Sequence, residues 1–343
     1  LMIKNVAIVS LSSGIIGEDF VRHEVEIGVK RLEDFGMNVR FMPHAMKGIE
    51  YVKNHPKDRA ADLLYALKDP EVEMILCAIG GDDTYRLLPY LFGHGELAGA
   101  VSNKIFLGFS DTTVNHFMFH KVGMKTFYGQ SFLSDLCELD KEMLPYTRGY
   151  FEELIRFGTI REVRPSSVWY EERTDFGVDQ IGVPLTSHPD SGFVLLQGSP
   201  LFSGKILGGC IDTLYDFFNG DRYADMPLLC QKYGLFPKKE DWAKKILLLE
   251  SSEEKMPPSK YEKAVAALKE TGIFEVLSGV LVGKPMDETY AREYRQILTD
   301  VIDSPDLPIV WNVNIGHAQP RCILPFGVKA TVDVSRQVIR FAD

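Results

Sequence analysis

The chain has little cysteine, little excess positive charge and no long apolar run, and each shortage excludes something. Its five thiols, Cys77, Cys137, Cys210, Cys230 and Cys322, are odd in number and widely spaced, with no C-x-x-C. That pattern supports neither a zinc knuckle nor a disulfide framework, and it fits a reducing cytoplasm. No segment approaches the about 20 apolar residues of a membrane span. Lys and Arg number 38 against 48 Asp and Glu, a formal net charge of −10. A nucleic-acid polymer or an anionic membrane needs a positive face, so neither is expected as the principal partner. A nucleotide-sized ligand stays compatible with that charge.

Several signatures are missing as well. The first βα loop, Ser10 to Gly17, lacks G-x-G-x-x-G and reads as a structural turn rather than a dinucleotide site. His116 and His120 stand four apart on one helix without the glutamate of H-E-x-x-H. Among aromatic neighbours they read as packed or surface histidines, and no metal site is expected. The opening LMIKNVAIVSLSSGIIGED has one lysine and no long apolar core, so it reads as a first strand rather than a signal peptide.

What is present is the composition of a globular protein, 45% hydrophobic and 25% charged. At 343 residues the chain exceeds one ordinary core, and two domains are expected. Val6–Val9, Val39–Met42, Glu73–Ile79 and Ile105–Phe109 read as strands, separated by helical patterns over Glu18–Phe35, Pro56–Leu67 and the stretch after Asp83. This alternation predicts an α/β fold. Its N-terminal part, 1–138, is a parallel-sheet, flavodoxin-like domain with helices on both faces. Residues 139–191 read as a linker with a lid, and 192–343 as a second α/β domain that ends in a hairpin around Ser335-Arg336.

In the first domain three loops fall at the carboxyl edge of the sheet, where such folds bind ligands. One holds Ser110, at a tight strand-to-helix turn in GFSDTT. Thr112 occupies the place of the second glycine of G-x-S-x-G, so a nucleophile elbow and a simple helix cap both remain open. Another is Gly80-Gly81-Asp82-Asp83-Thr84, whose glycines admit a ligand close to the backbone. It suits an oxyanion hole or a phosphate cradle, and GGDDT also resembles the GGDGT of small-molecule kinases; a plain capped turn is the alternative. In the second domain Glu250 ends the apolar run KKILLLE, and His317 follows Gly316 on a loop after a buried strand. The chain order Ser, Glu, His is that of the α/β-hydrolases.

Taken together, GGDDTYRLLPYL, GFSDTT, GKILGGCIDTL, LLLESSEE and NIGHAQPRCILPFG resemble the serine peptidases of the LD-carboxypeptidase family, most closely their microcin C immunity branch. The resemblance covers about residues 5–334. It implies Ser110 as nucleophile, Glu250 as orienting acid and His317 as general base. It implies an oxyanion hole from backbone N–H groups around Gly81, Asp82 and Asp111, with the nucleophile and the acid–base pair on different domains. Asp83, in place of the recycling enzymes' aromatic-glycine turn, and Trp169, in SSVWYEERTDFG, favour the immunity branch as substrate-binding residues. In that branch a tryptophan stacks on the nucleotide base; a linker aromatic packed at the domain interface is the other reading of Trp169.

The resemblance implies no metal or cofactor, a homodimer, and a small peptidyl- or aminoacyl-nucleotide substrate. Alternatives are a muramoyl-tetrapeptide L,D-carboxypeptidase of cell-wall recycling, a GGDDT-type kinase and a non-catalytic toxin-binding protein.

Overall fold

Four-residue strands with every side chain buried, such as Met74–Cys77 and Ile105–Gly108, arise where both faces of a sheet are covered. The computed structural model describes residues 2–343. The chain divides into two units, Leu1–Ile160 with Arg173–Leu185, and Arg161–Glu172 with Thr186–Asp343.

The first unit is built on β1 (Asn5–Val9), β2 (Asn38–Phe41), β3 (Met74–Cys77), β4 (Ile105–Gly108) and β5 (Thr126–Tyr128). Their spatial order is β2-β1-β3-β4-β5, and every neighbouring pair is parallel. This is the flavodoxin order, whose strand sequence reverses between β1 and β3. The loops after β1 and β3 therefore splay apart there and leave a crevice edge, with the β4 loop beside them.

The helices Arg22–Asp34, Pro56–Lys68 and Thr113–Lys121 agree with the sequence pattern. Two differences have local causes. The helix expected after Asp83 breaks into a 3-10 turn, Thr84–Leu87, and two short helices, Leu88–Phe92 and Glu96–Ala100. Gly93 and a left-handed Gly95 interrupt the run between those helices. Residues 139–191 also carry a regular helix, Pro145–Phe157, started by Pro145 and closed by Gly158 at φ 71°.

The second unit contains β6 (Glu162–Val163), β7 (Val168–Tyr170), β8 (Ser187–Pro189), β9 (Val194–Gln197), β10 (Leu201–Cys210), β11 (Ile246–Glu250), β12 (Gly279–Gly283), β13 (Ile309–Val313), β14 (Leu324–Phe326), β15 (Lys329–Asp333) and β16 (Val338–Phe341). Its main sheet runs β6-β16-β15-β10-β11-β12-β13-β9. The central strands β10 to β13 are parallel and the flanking ones antiparallel. The expected terminal hairpin is β15–β16, with Asp333 opposite Val338.

Helices Pro258–Glu270 and Ala291–Ile302 cover this sheet's core, and Tyr261 stacks on Tyr294 with centroids 3.9 Å apart. The second of these helices starts only at Ala291. Asp287, Glu288 and Tyr290 adopt positive φ, which ends α-helical hydrogen bonding. β7 and β8 form a separate two-stranded ribbon. Among the described residues no helix is long and apolar enough to cross a membrane.

Candidate active site

In the first unit, β4 ends at Gly108 and Phe109 stays extended at φ −155°. Ser110 then turns to φ 71°, the left-handed region, before the 3-10 turn Ser110–Thr112 leads into the helix. A non-glycine residue there is strained, and neighbouring bonds hold it. The Ser110 N–H donates to Tyr128 Oη (3.2 Å), and Thr113 Oγ1 donates to the Ser110 carbonyl (2.6 Å). Thr112 Oγ1 donates to the Phe109 carbonyl (2.7 Å). Ser110 is partly exposed, whereas Asp111, Thr112 and Thr113 are buried. The geometry is that of an elbow.

His116 supports this turn from behind. Its Nε2 contacts the Gly108 carbonyl (3.0 Å) and its Nδ1 contacts Thr126 Oγ1 (2.7 Å). Burial pushes its pKa down to about 3, so the ring is neutral. With Nε2–H donating, Nδ1 accepts from the threonine. Both ring nitrogens are used, and the metal reading of the His116–His120 spacing has no support at His116.

The glycine turn lies against the serine. A Cβ on Gly80 would fall 2.8 Å from both Cβ and Oγ of Ser110, so only glycine allows this approach. Gly81 and Asp82 are exposed, while Asp83 and Thr84 are buried. The Asp83 carboxylate pairs with the buried Arg59 guanidinium at 2.8 Å. Arg59 Nη1 also donates to the carbonyls of Leu11 (3.2 Å) and Ser12 (3.3 Å). The Asp111 carboxylate accepts from Ser12 Oγ (2.7 Å) and from the Thr84 N–H (2.9 Å). Burial raises its pKa to about 6, against those two hydrogen bonds, which lower it.

In the second unit, β11 delivers Glu250 to its carboxyl end with no side-chain exposure. His317 Nδ1 donates to Glu250 Oε2 at 2.8 Å, and the His317 backbone N–H points at the same oxygen at 3.3 Å. This fixes the tautomer and leaves Nε2 as the basic nitrogen. Gly316 makes the approach possible, since a Cβ there would sit 2.5 Å from Glu250 Oε2. Arg321 holds the loop by donating to the carbonyls of Gly316 (2.5 Å) and His317 (2.8 Å). Asp212 accepts from the N–H (3.0 Å) and Oγ (2.8 Å) of Ser252, pinning the loop after Glu250.

Burial pulls the His317 pKa down, but the charge and hydrogen bond of Glu250 outweigh it, with Glu253 adding to them. The net shift is upward. Glu253 Oε2 lies 3.2 Å from Nε2 on an exposed side chain.

Cys210, which sequence reasoning had not marked, ends β10 beside this pair. A ligand atom from each of Cys210, Glu250 and His317 falls within 4.8 Å of the others. Donor types and spacing would suit a thiophilic cation. Against that, burial first, then the charges of Glu250 and Asp212, raises the thiol pKa and keeps it protonated.

Trp169 belongs to the second unit and is half-buried on β7. It stacks on His188 of β8 with centroids 4.5 Å apart, and Lys284 Nζ lies 5.4 Å from its ring centre. The structure thus gathers Ser110, Gly81, Asp82, Asp83 and Asp111 on adjoining loops of one unit. It pairs Glu250 with His317 in the other. Arg59, Tyr128 and Cys210 carry no local signal in the sequence; Arg59 and Tyr128 find partners distant in the chain, and Cys210 is brought to Glu250 and His317 only by the fold.

Comparison with known proteins follows this division. Residues 6–129 match the LD-carboxypeptidase N-terminal domain, and residues 203–332 match the LD-carboxypeptidase C-terminal domain. An MccF-like protein from Streptococcus pneumoniae, solved in complex with AMP, superposes with a TM-score of 0.98 at 60% identity, covering 99% of each chain. The microcin C7 self-immunity protein MccF of Escherichia coli is 25% identical over 294 residues, 84% of this chain and 78% of that protein. MccF in complex with glutamyl sulfamoyl guanosine shares the fold, with a TM-score of 0.79 at 21% identity over 100% of this chain and 97% of that one. A Bacillus subtilis protein named "Probable murein peptide carboxypeptidase" is 25% identical over 319 residues, 89% of this chain and 83% of that protein.

Proposed function

Because the chain belongs to the LD-carboxypeptidase family, in its MccF-like branch, we propose that it is a serine carboxypeptidase or amidase. Its substrate in this reading is the amide between an aminoacyl or peptidyl carboxylate and a nucleotide-like group. The observation that carries the proposal is Ser110, held at φ 71° on a strand-to-helix turn against Gly80. Strain of this kind is kept where a side chain must project from the backbone. The buried Glu250–His317 pair supports the same reading.

The reaction runs through an acyl-enzyme. His317 Nε2 takes the hydroxyl proton as Ser110 Oγ bonds to the carbonyl carbon. N–H groups around Gly81, Asp82 and Asp111 receive the oxyanion. The carbon–nitrogen bond then breaks, and His317 returns the proton to the departing amine. Water, deprotonated by the same imidazole, releases the acyl group. Glu250 holds the tautomer and stabilises the imidazolium without itself taking the proton. No metal takes part.

Trp169 is proposed as the platform for the nucleotide base. The complexes of related proteins with AMP and with glutamyl sulfamoyl guanosine support a nucleotide-like group. The relative named for murein peptide cleavage keeps a cell-wall substrate as the second reading. A homodimer in the cytoplasm is proposed with the branch, and light scattering measures the first part.

Incubation with an L,D-linked muropeptide and, separately, with an aspartyl-nucleotide amide decides between substrates when the products are weighed by mass spectrometry. Release of aspartate and the nucleotide amine is expected. Exclusive muropeptide cleavage would assign the protein to cell-wall recycling. Turnover that requires ATP and is abolished by chelator would point to the kinase reading instead. Failure of an alkyl fluorophosphonate to label Ser110 would point to a non-catalytic binder.

A further inference from the structure

Two buried carboxylates tie together the loops around Ser110, and neither belongs to the proposed triad. Asp111 reaches from the β4 loop to Ser12 Oγ in the β1 loop (2.7 Å) and to the Thr84 N–H after the glycine turn (2.9 Å). Asp83 reaches from the glycine turn to Arg59 (2.8 Å), and Arg59 in turn holds the carbonyls of Leu11 and Ser12. The Ser13 N–H donates to the Gly80 carbonyl at 3.0 Å and closes the ring. All four side chains are buried, with Ser12 at 2%, Arg59 at 1%, Asp83 at 4% and Asp111 at 3% exposure. An ion pair this deep is not retained for net stability, because desolvation offsets most of its attraction.

We infer that Asp83 and Asp111 are positioning residues that lock the Gly80-Gly81 turn against Ser110, Asp111 through Ser12 and Thr84, Asp83 through Arg59. The inference rests on the serine-hydrolase reading and adds to it a device that sets the oxyanion donors. Such donors act only when fixed at the place where charge develops. The turn is free of regular secondary structure, with Gly81 at φ 150° and exposed, so its own backbone does not fix it. The bonds to Thr84, Ser13 and Asp83 do.

Asp111 holds both loops most firmly as a carboxylate. Both bonds end on Oδ2, and protonation at Oδ1 leaves that acceptor in place but removes the charge that strengthens the two bonds. The charged groups facing it are Asp82 and Asp83 from the glycine turn, both raising its pKa. Arg59 from the helix Pro56–Lys68 and Arg86 from the 3-10 turn engage Asp83 (2.8 and 3.5 Å). Labelling of Ser110 should therefore depend on two deprotonations on the acid side, wholly on that of His317 and partly on that of Asp111.

The test is the second-order rate of Ser110 labelling by an alkyl fluorophosphonate, measured from pH 4.5 to 8 on the full chain. The variants are Ser12→Ala, Asp83→Asn and Asp111→Asn, each checked by thermal denaturation. Each folded variant is expected to label at least tenfold more slowly than wild type at pH 8. The acid limb should be steeper than a slope of one in wild type and return to one in Asp111→Asn. Ser12→Ala deletes a single hydroxyl and keeps the test open should an aspartate variant not fold. Rates within twofold of wild type in the folded variants, or an unchanged acid slope in Asp111→Asn, would overturn the inference. An unlabelled wild type would instead sink the serine-hydrolase reading itself.

Discussion

His317 Nδ1 and Glu250 Oε2 lie 2.8 Å apart in a buried pair at the end of β11. The bond decides which nitrogen is basic and, through the carboxylate charge, where the imidazole titrates.

A general base must be neutral to work. Because the His317 pKa is raised, activity should fall on acidification from a point above the ordinary histidine range. Glu250→Gln should move that acid limb to lower pH and cut kcat by several orders of magnitude. Glu253→Gln removes the exposed carboxylate near Nε2 and should move the limb down by less, with kcat kept. A pH–rate profile on the cleaved substrate checks all three. An acid limb that stays in place in Glu250→Gln would exclude His317 as its source.

Ser110 sits in the left-handed region, which costs an ordinary side chain about 1–2 kcal/mol. Glycine adopts it without that cost. Ser110→Gly should therefore abolish turnover while raising the melting temperature or leaving it unchanged. Calorimetry beside a product assay reads both. A large loss of stability would show that the elbow is not strained.

Stacking of a base on an indole contributes about 1–3 kcal/mol. Trp169→Ala should raise KM or Kd for a nucleotide ligand by roughly 5- to 150-fold with kcat little changed, and Trp169→Phe should recover part of it. Isothermal titration with AMP measures the effect. Equal AMP affinity in the alanine variant would leave Trp169 with only its packing on His188.

Glu24 is buried in the helix Arg22–Asp34, and burial raises its pKa from 4.5 to about 7. The folded state thus holds its proton more tightly than the unfolded chain does. Stability from this group is full below about pH 4.5 and is lost progressively up to about pH 7. Glu24→Gln should raise the melting temperature by a few degrees at pH 8 and change it little at pH 4. The reverse order across those two pH values would contradict the burial of this carboxyl.

Some of the site was legible because its chemistry is local. Gly80-Gly81, the glycine before Phe109-Ser110 and the Gly316-His317 step mark close approaches that only certain residues permit. Strands β1, β3 and β4 were legible as apolar runs, since a sheet covered on both faces asks for nothing else. β5, three residues long, was too short to stand out, and the helix Pro145–Phe157 was hidden in a stretch rich in charge. Arg59 was invisible for a different reason. In the sequence it is one more charge on an amphipathic helix, and only the fold brings it to Asp83, 24 residues away.

The sequence by itself determined the order of elements, the glycines that open the backbone, and the residue types able to carry acyl transfer. Tertiary structure decided what those residues are to one another. It put Glu250 rather than Glu253 on His317 Nδ1, turned His116 into a neutral brace for Gly108, and gave Asp83 to Arg59. The physical reason is range. Propensity and turn chemistry act between chain neighbours, whereas side-chain hydrogen bonds and charges select partners by distance in space. That distance exists only once the sheets have formed.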